Sequence, residues 1–220
     1  MGKIFQKPYS RFILMLTALI IGADMFSCTG VKKIDVPTRE WTVKLRDSIG
    51  TIHISLPLEY DTMHSWESFD DNPGSFTYCY RIQSSKTSMV EESGFLKYES
   101  DTLYRLTIAH AVSHEELSDP FNPDKLFIAY LNGTKLDTKW RVGENIDTGM
   151  IQVMNKHFGY FIMVDSINNK LVKNKLHAFT EFDDRIIAFA FENTSRQKTN
   201  TLFIQESLEA LKTVRFEEAK

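Results

Sequence analysis

The sequence predicts an α+β domain: a mainly antiparallel, twisted sheet of about six or more strands with two or three helices packed on it. Three observations carry that expectation. Apolar residues alternate with polar ones in run after run between Trp41 and Phe191, the period of a half-buried strand. Short clusters of Gly, Asn, Asp and Pro break the runs, and these are the residues that turns demand. Helical spacing with capping residues occurs only in a few short segments.

Trp41, Val43 and Leu45 alternate with Thr42, Lys44 and Arg46. After Asp47-Ser48-Ile49-Gly50, the residues Ile52, Ile54 and Leu56 alternate with Thr51, His53 and Ser55. Two such runs around a Gly-containing turn predict a β-hairpin, which Pro57 ends because it cannot donate to a ladder. A turn-rich loop, SFDDNPGS at 68–75, leads to the strand FTYCYRI at 76–82. Phe76, Tyr78, Tyr80 and Ile82 share one face of it; Thr77, Cys79 and Arg81 share the other. GFLKYES and DTLYRLTIAHAV, 94–112, read as a second hairpin.

Ser113 and Glu116 have capping-box spacing, so a short helix starts there. Asn122-Pro123-Asp124 is a stronger helix start, with a cap residue, proline at the first position and an acid favourable to the helix dipole. Leu126, Phe127, Tyr130 and Leu131 then recur at helical spacing up to Gly133. GMIQVMNKH, YFIMVDS, NKLHAFTEF and RIIAFAFE, from 149 to 192, supply further strands, with turns at Asn168-Asn169-Lys170 and Asp183-Asp184. Phe161 to Val164 and Ile186 to Phe191 are apolar on both parities, which predicts central strands covered on both faces. An amphipathic helix from about Thr201 to Lys212 and a short strand, TVRF, close the chain.

The N-terminus speaks about location. Lys3, Lys7 and Arg11 precede a run of 12 apolar or small residues, Phe12 to Ala23, which Asp24 ends. A spanning helix needs about 20 such residues, so the layout is that of a secretory signal. Met-Gly at the start is not a myristoylation signal, since Gln6 stands where Ser or Thr is required. Cys28 follows the run with Ser27 before it, and this stretch resembles the lipobox of bacterial lipoproteins, in its SCTG ending those of the Bacteroidota type. Met25 and Phe26 depart from the small residues that the family prefers. The resemblance implies cleavage before Cys28 and diacylglycerol on its thiol; the alternative is an ordinary secreted protein in which Cys28 is incidental.

The expected organisation is a signal peptide over 1–27, a lipidated cysteine and tether over 28–38, and a single α+β domain over 39–220. The mature chain of 193 residues would carry a net charge of −5, which argues against nucleic acid as a partner. The tether lacks an acidic run, which favours a periplasmic over a surface-exposed orientation; the expected membrane is the outer rather than the inner one. With Cys28 acylated, Cys79 would be the one free thiol, so neither a disulfide nor a cysteine-based zinc site is expected.

Two terminal stretches carry a second resemblance. DSIGTIHISLP, and IIAFAFEN followed by TLFIQESLEALKTVRF, resemble the start and close of the Mog1/PsbP-like fold over about 35 residues. The likeness implies an antiparallel sheet with helices on it, in a family of small accessory and binding proteins in which enzymatic activity is not the rule. Fold does not fix function in any case.

No catalytic or metal motif stands out, and no cofactor is expected. His110 and His114 have i,i+4 spacing but fall in different elements, and His110 shares strand parity with Tyr104, Leu106 and Ile108, so a buried histidine is favoured over a metal ligand. His53, His64, His157 and His177 are scattered. Cys79 could be a nucleophile with Arg81 on its face, but free cysteines are more often buried structural residues. Asp70-Asp71-Asn72 lacks EF-hand spacing. Phe76, Tyr78, Tyr80, Tyr98 and Tyr104 would form a binding face if exposed, and core if packed under helices. The favoured function is therefore a lipid-anchored, non-enzymatic envelope module that binds a protein or small ligand. The alternative is an envelope hydrolase whose site assembles only in three dimensions.

Overall fold

The computed structural model describes residues 36–69, 76–87, 104–111, 143–166, 170–196 and 199–219. Ten strands and one helix follow in the order β1 (Thr38–Leu45), β2 (Gly50–Pro57), β3 (Thr62–Phe69), β4 (Phe76–Gln83), β5 (Tyr104–Ala111), β6 (Gly143–Val153), β7 (Lys156–Ser166), β8 (Val172–Phe182), β9 (Arg185–Ser195), α1 (Thr201–Lys212) and β10 (Arg215–Glu218). All pairings are antiparallel. A three-stranded sheet has the order β1-β2-β10, and a seven-stranded sheet the order β3-β4-β5-β9-β8-β7-β6. The expected α+β class thus takes a β-dominated form. Among the described residues there is one helix where two or three were expected. The helices expected to start at Ser113 and at Asn122, and the first arm of the 94–112 hairpin, lie outside the described residues.

The two sheets face each other across one core. Tyr80, Ile108, Phe189, Ala178, Tyr160 and Gly149 stand in a single cross-strand row of the large sheet. The next row is Ile82, Leu106, Phe191, Leu176 and Ile162. Apart from Gly149, these residues join Val43, Ile52, Ile54 and Leu56 of the small sheet, and Phe203, Ala210 and Leu211 of α1, in one buried cluster, with Tyr160 packed against it half-buried. The β1–β2 hairpin forms as the alternation predicts, with Leu45 opposite Gly50 and Thr38 opposite Pro57. Its apolar parity is the buried one: Ile52, Ile54 and Leu56 are fully enclosed.

α1 spans Thr201–Lys212, as its spacing predicts, and the reasons are local. Asn200 caps it by accepting from the Phe203 N–H at 3.1 Å. At its end the Thr213 hydroxyl donates to the Ala210 carbonyl at 2.7 Å and accepts from the Ser55 N–H at 2.9 Å, which ties the helix to β2. No helix among the described residues is long and apolar enough to cross a membrane.

Several expectations change. β3 forms over a stretch for which the sequence carried no strand expectation; it is an edge strand of the described sheet, with Met63, Ser65 and Glu67 exposed. β6 begins at Gly143, not near 149, and its register against β7 shifts between Asn145 and Asp147. Phe161 to Val164 are buried on both parities, as expected, but β9 is not, since Ala188 is exposed. Alanine's small side chain reads as apolar in sequence while tolerating either environment. The closing strand sits at Arg215–Glu218, two residues beyond TVRF's start, because Thr213 is spent on ending the helix.

Candidate functional site

A cleft of about 460 Å³ opens where the edge of β10 meets the tips of the β6–β7 and β8–β9 hairpins. Its floor is aromatic. The rings of Phe182 and Phe216 lie 4.5 Å apart, centre to centre, and Phe158 stands 6.4 Å from Phe216. Phe216 points inward because it pairs with Ile52, whose parity is the core one. Lys156, first residue of β7, lays its ammonium over both rings, 5.3 Å from Phe182 and 5.5 Å from Phe216. It also donates to the Glu181 carbonyl at 2.9 Å. Such cation–π contacts are worth about 0.5–2 kcal/mol each.

The two hairpin tips are built unlike each other. Asp183 and Asp184 both have positive φ, 52° and 54°, a conformation that Asp tolerates in a two-residue turn. In the β6–β7 turn Met154 takes φ 54° and leaves 72% of its surface exposed at the lip of the cleft. Long side chains adopt that conformation only at a cost.

On the outer face of the small sheet, Thr42, His53 and Arg215 form one cross-strand row. His53 Nδ1 lies 3.3 Å from Thr42 Oγ1 and 3.6 Å from Glu40 Oε1; its Nε2 lies 3.5 Å from Glu217 Oε2. Arg215 pairs with Glu40. The cleft therefore includes a histidine beside carboxylates, but both ring nitrogens are engaged, and no Ser, Thr or Cys is among the lining residues. The arrangement can bind and orient; the hydroxyl nearest the histidine is that of Thr42, which stands on the outer face of the small sheet and is not among the residues that line the cleft.

A second cluster crosses the outer face of the large sheet. Arg105 pairs with Glu192, Lys173 approaches Glu192 at 4.0 Å, and Lys175 pairs with Asp165. Burial pushes the Glu192 carboxyl up, but the Arg105 charge and hydrogen bond outweigh it and hold it at about 2. Burial lowers the Lys173 ammonium against the opposing pull of Glu192. Sequence gave no sign of this cluster, because its members lie on four strands and meet only through register.

The residues singled out from sequence meet varied fates. Cys28 and His114 lie outside the described residues. Cys79 is buried, with a weak 4.0 Å contact from its thiol to the Thr77 carbonyl, and Arg81 beside it lies over the Trp66 ring and donates to Thr107. His110 is a buried core histidine, hydrogen-bonded to Tyr80 Oη at 3.3 Å. Tyr78 and Tyr80 are buried and Tyr104 packs edge-on to Phe203, so these three belong to the core. Tyr98 and the side chain of Phe76 lie outside the described residues. His177 stacks on Phe161 at 4.8 Å. Among the described residues, His53 is the one histidine that lines the cleft.

No family model matches the chain, and no curated protein does. Among solved structures it is similar to cyanobacterial PsbP from Synechocystis sp. PCC 6803, at 12% identity and a TM-score of 0.46, over 88% of this chain and 99% of that one. It is also similar to LpqN, a protein involved in cell envelope biogenesis of Mycobacterium tuberculosis, at 11% identity and a TM-score of 0.41, over 83% of this chain and 92% of that one. The first carries the PsbP name that the terminal stretches suggested. At these scores neither similarity assigns a family or a function.

Proposed function

We propose that the protein is a non-enzymatic envelope module, anchored through lipid on Cys28 and facing the periplasm from the outer membrane, whose folded domain binds a protein or small ligand. The observation that carries the binding half is the cleft: open, aromatic-floored, and lined by cations that already have partners. Such a surface suits recognition better than turnover. The chain enters β1 at Thr38, opposite Pro57, whereas β10 lies against the stretch from His53 to Gly50. The cleft thus stands about 14–24 Å along β2 from the point where the tether enters.

Cys28→Ser tests the anchor. The wild-type chain should fractionate with membranes and incorporate labelled palmitate, and the variant should do neither. Membrane association unchanged by the substitution ends this assignment. A lipid-anchored or secreted hydrolase is the second reading, favoured by His53 lying between Glu40 and Glu217. It requires that His53→Gln abolish a hydrolytic activity of the purified protein while leaving its melting temperature unchanged.

A further inference from the structure

We infer that the free edge of β10 and the cleft beside it dock an extended, lysine- or arginine-bearing segment of a partner protein, which adds to the small sheet as a fourth strand. This assignment rests on the binding function proposed above and names its partner class.

The backbone supplies the first argument. β10 pairs with β2 from Arg215 opposite His53 to Glu218 opposite Gly50, and no other described strand pairs with it. An open edge is a row of unpaired N–H and C=O groups, and extended peptides recognise such edges by strand addition. The outer edge at β6 is interrupted by its register shift; β10 is regular and lacks proline.

The cleft supplies the second. Its volume, about 460 Å³, runs alongside the four residues of β10 and falls in the range of ligand pockets. Alternate residues of an added strand face opposite ways. One set would lie on the cleft face, over the Phe182 and Phe216 rings and beside Glu218, which shares the parity of Phe216; the other would lie beside Arg215 and Glu217 on the outer face. Basic residues in the first set would meet the acids of the rim, and apolar residues in the second would leave the Arg215–Glu40 and Glu217–His53 contacts intact.

Charge supplies the third. Arg215 is held by Glu40, Lys156 by the Glu181 carbonyl, and Glu217 by His53. Asp183 and Glu218, also on the rim, have no cationic partner among the described residues. The charge left to an incoming strand is negative. Met154, exposed and in a costly conformation, offers an adaptable apolar contact at the lip, and such strain gathers at functional positions.

A second copy of the chain fits less well. Antiparallel self-pairing of β10 would set Arg215 opposite Glu218 of the other copy, but Glu40 already holds Arg215. Each copy would also bring its own β6–β7 and β8–β9 hairpins to a cleft sized for one strand.

The probe is a fluorescein-labelled hexapeptide of alternating lysine and valine, titrated against the full chain and followed by anisotropy at low salt. One control replaces lysine with glutamate; another is N-methylated at alternate amides. The lysine peptide should saturate below about 1 mM, and each control should bind at least about 10-fold more weakly. In the chain, Asp183→Asn with Glu218→Gln should weaken the lysine peptide about 3–10-fold at an unchanged melting temperature. Absence of saturable binding, equal binding of the N-methylated peptide, or indifference to the double substitution overturns the assignment. So does a solution dimer that Glu218→Lys dissociates, since a second copy would then hold the edge. The titration does not depend on lipid. If it fails while Cys28→Ser still releases the chain from membranes, anchoring stands and the docking site falls.

Discussion

Gly50 lies beneath the carbonyl oxygen of Glu217: a β-carbon at position 50 would stand 2.3 Å from that oxygen and 3.0 Å from the Phe182 ring. Its φ of 141° is one that residues with side chains rarely adopt. The glycine that ends the β1–β2 turn therefore also lets β10 close onto β2. Gly50→Ala should destabilise the protein by about 1–3 kcal/mol or more, read from urea unfolding. Gly149→Ala is the control. Its β-carbon would meet the hydroxyl end of Tyr160, a half-buried side chain that can swing away, so it should cost clearly less. Equal losses at the two sites would show that the contact with β10 does not matter.

Met154 gives a prediction of opposite sign. Its φ of 54° places a long side chain in the left-handed region, and its exposure leaves little packing to lose. Met154→Gly should raise stability by up to about 1 kcal/mol, the relief of conformational cost less glycine's entropy. If this methionine serves the edge of β10, the stabilised variant should also bind the lysine–valine peptide more weakly. A variant less stable than the parent would mean that the methionine side chain holds the turn.

How much of this was legible in the sequence depends on the kind of signal. The β1–β2 hairpin and α1 were, because each is written locally: alternation around a glycine turn in one, helical spacing with a usable cap in the other. β3 was not, because an edge strand with Met63, Ser65 and Glu67 exposed has no apolar parity to show. The cleft was not legible either. It joins residues from β2, β10 and two hairpin tips that are far apart along the chain, and His53 read there as a polar residue on a strand's wet face. Met154-Asn155 passed as strand because neither residue announces a turn as the Asp183-Asp184 pair does.

The Arg105–Glu192 pair makes stability depend on pH. The Glu192 carboxyl titrates at about 2 in the folded protein against 4.5 ordinarily. Its depressed value means that the folded state binds the proton less readily than the unfolded one. The pair's contribution is thus complete above about pH 4.5 and is lost as pH falls towards 2. Arg105→Met, which leaves a buried carboxylate without its main partner, should cost about 3–5 kcal/mol near neutral pH. The double change Arg105→Met with Glu192→Met should recover much of that loss and flatten the acid limb of a stability–pH curve. A single substitution that costs under 1 kcal/mol would place the pair among weak surface bridges.

Asn200 illustrates a cap that a helix-propensity argument would misjudge. Its Oδ1 accepts from the Phe203 N–H, while its Nδ2 donates to Asn193 Oδ1 at 3.1 Å. Its own N–H donates to Asn174 Oδ1 at 2.9 Å, and Asn174 in turn donates to Ser195 Oγ at 3.1 Å. Asn174 and Asn193 are almost wholly enclosed, so the start of α1 is fastened to β8 and β9 through buried amides. Asn200→Ala should cost about 1–2 kcal/mol, the upper range for a lost cap. The sharper test is Asn200→Asp. Asp caps isolated helices as well as Asn does, but here it would set a carboxylate oxygen against the Asn193 carbonyl oxygen in place of a donor. It should therefore lose at least as much stability as Ala, measured by thermal unfolding at pH 7. An Asp variant as stable as the parent would reduce Asn200 to an ordinary cap and detach α1 from the amide network.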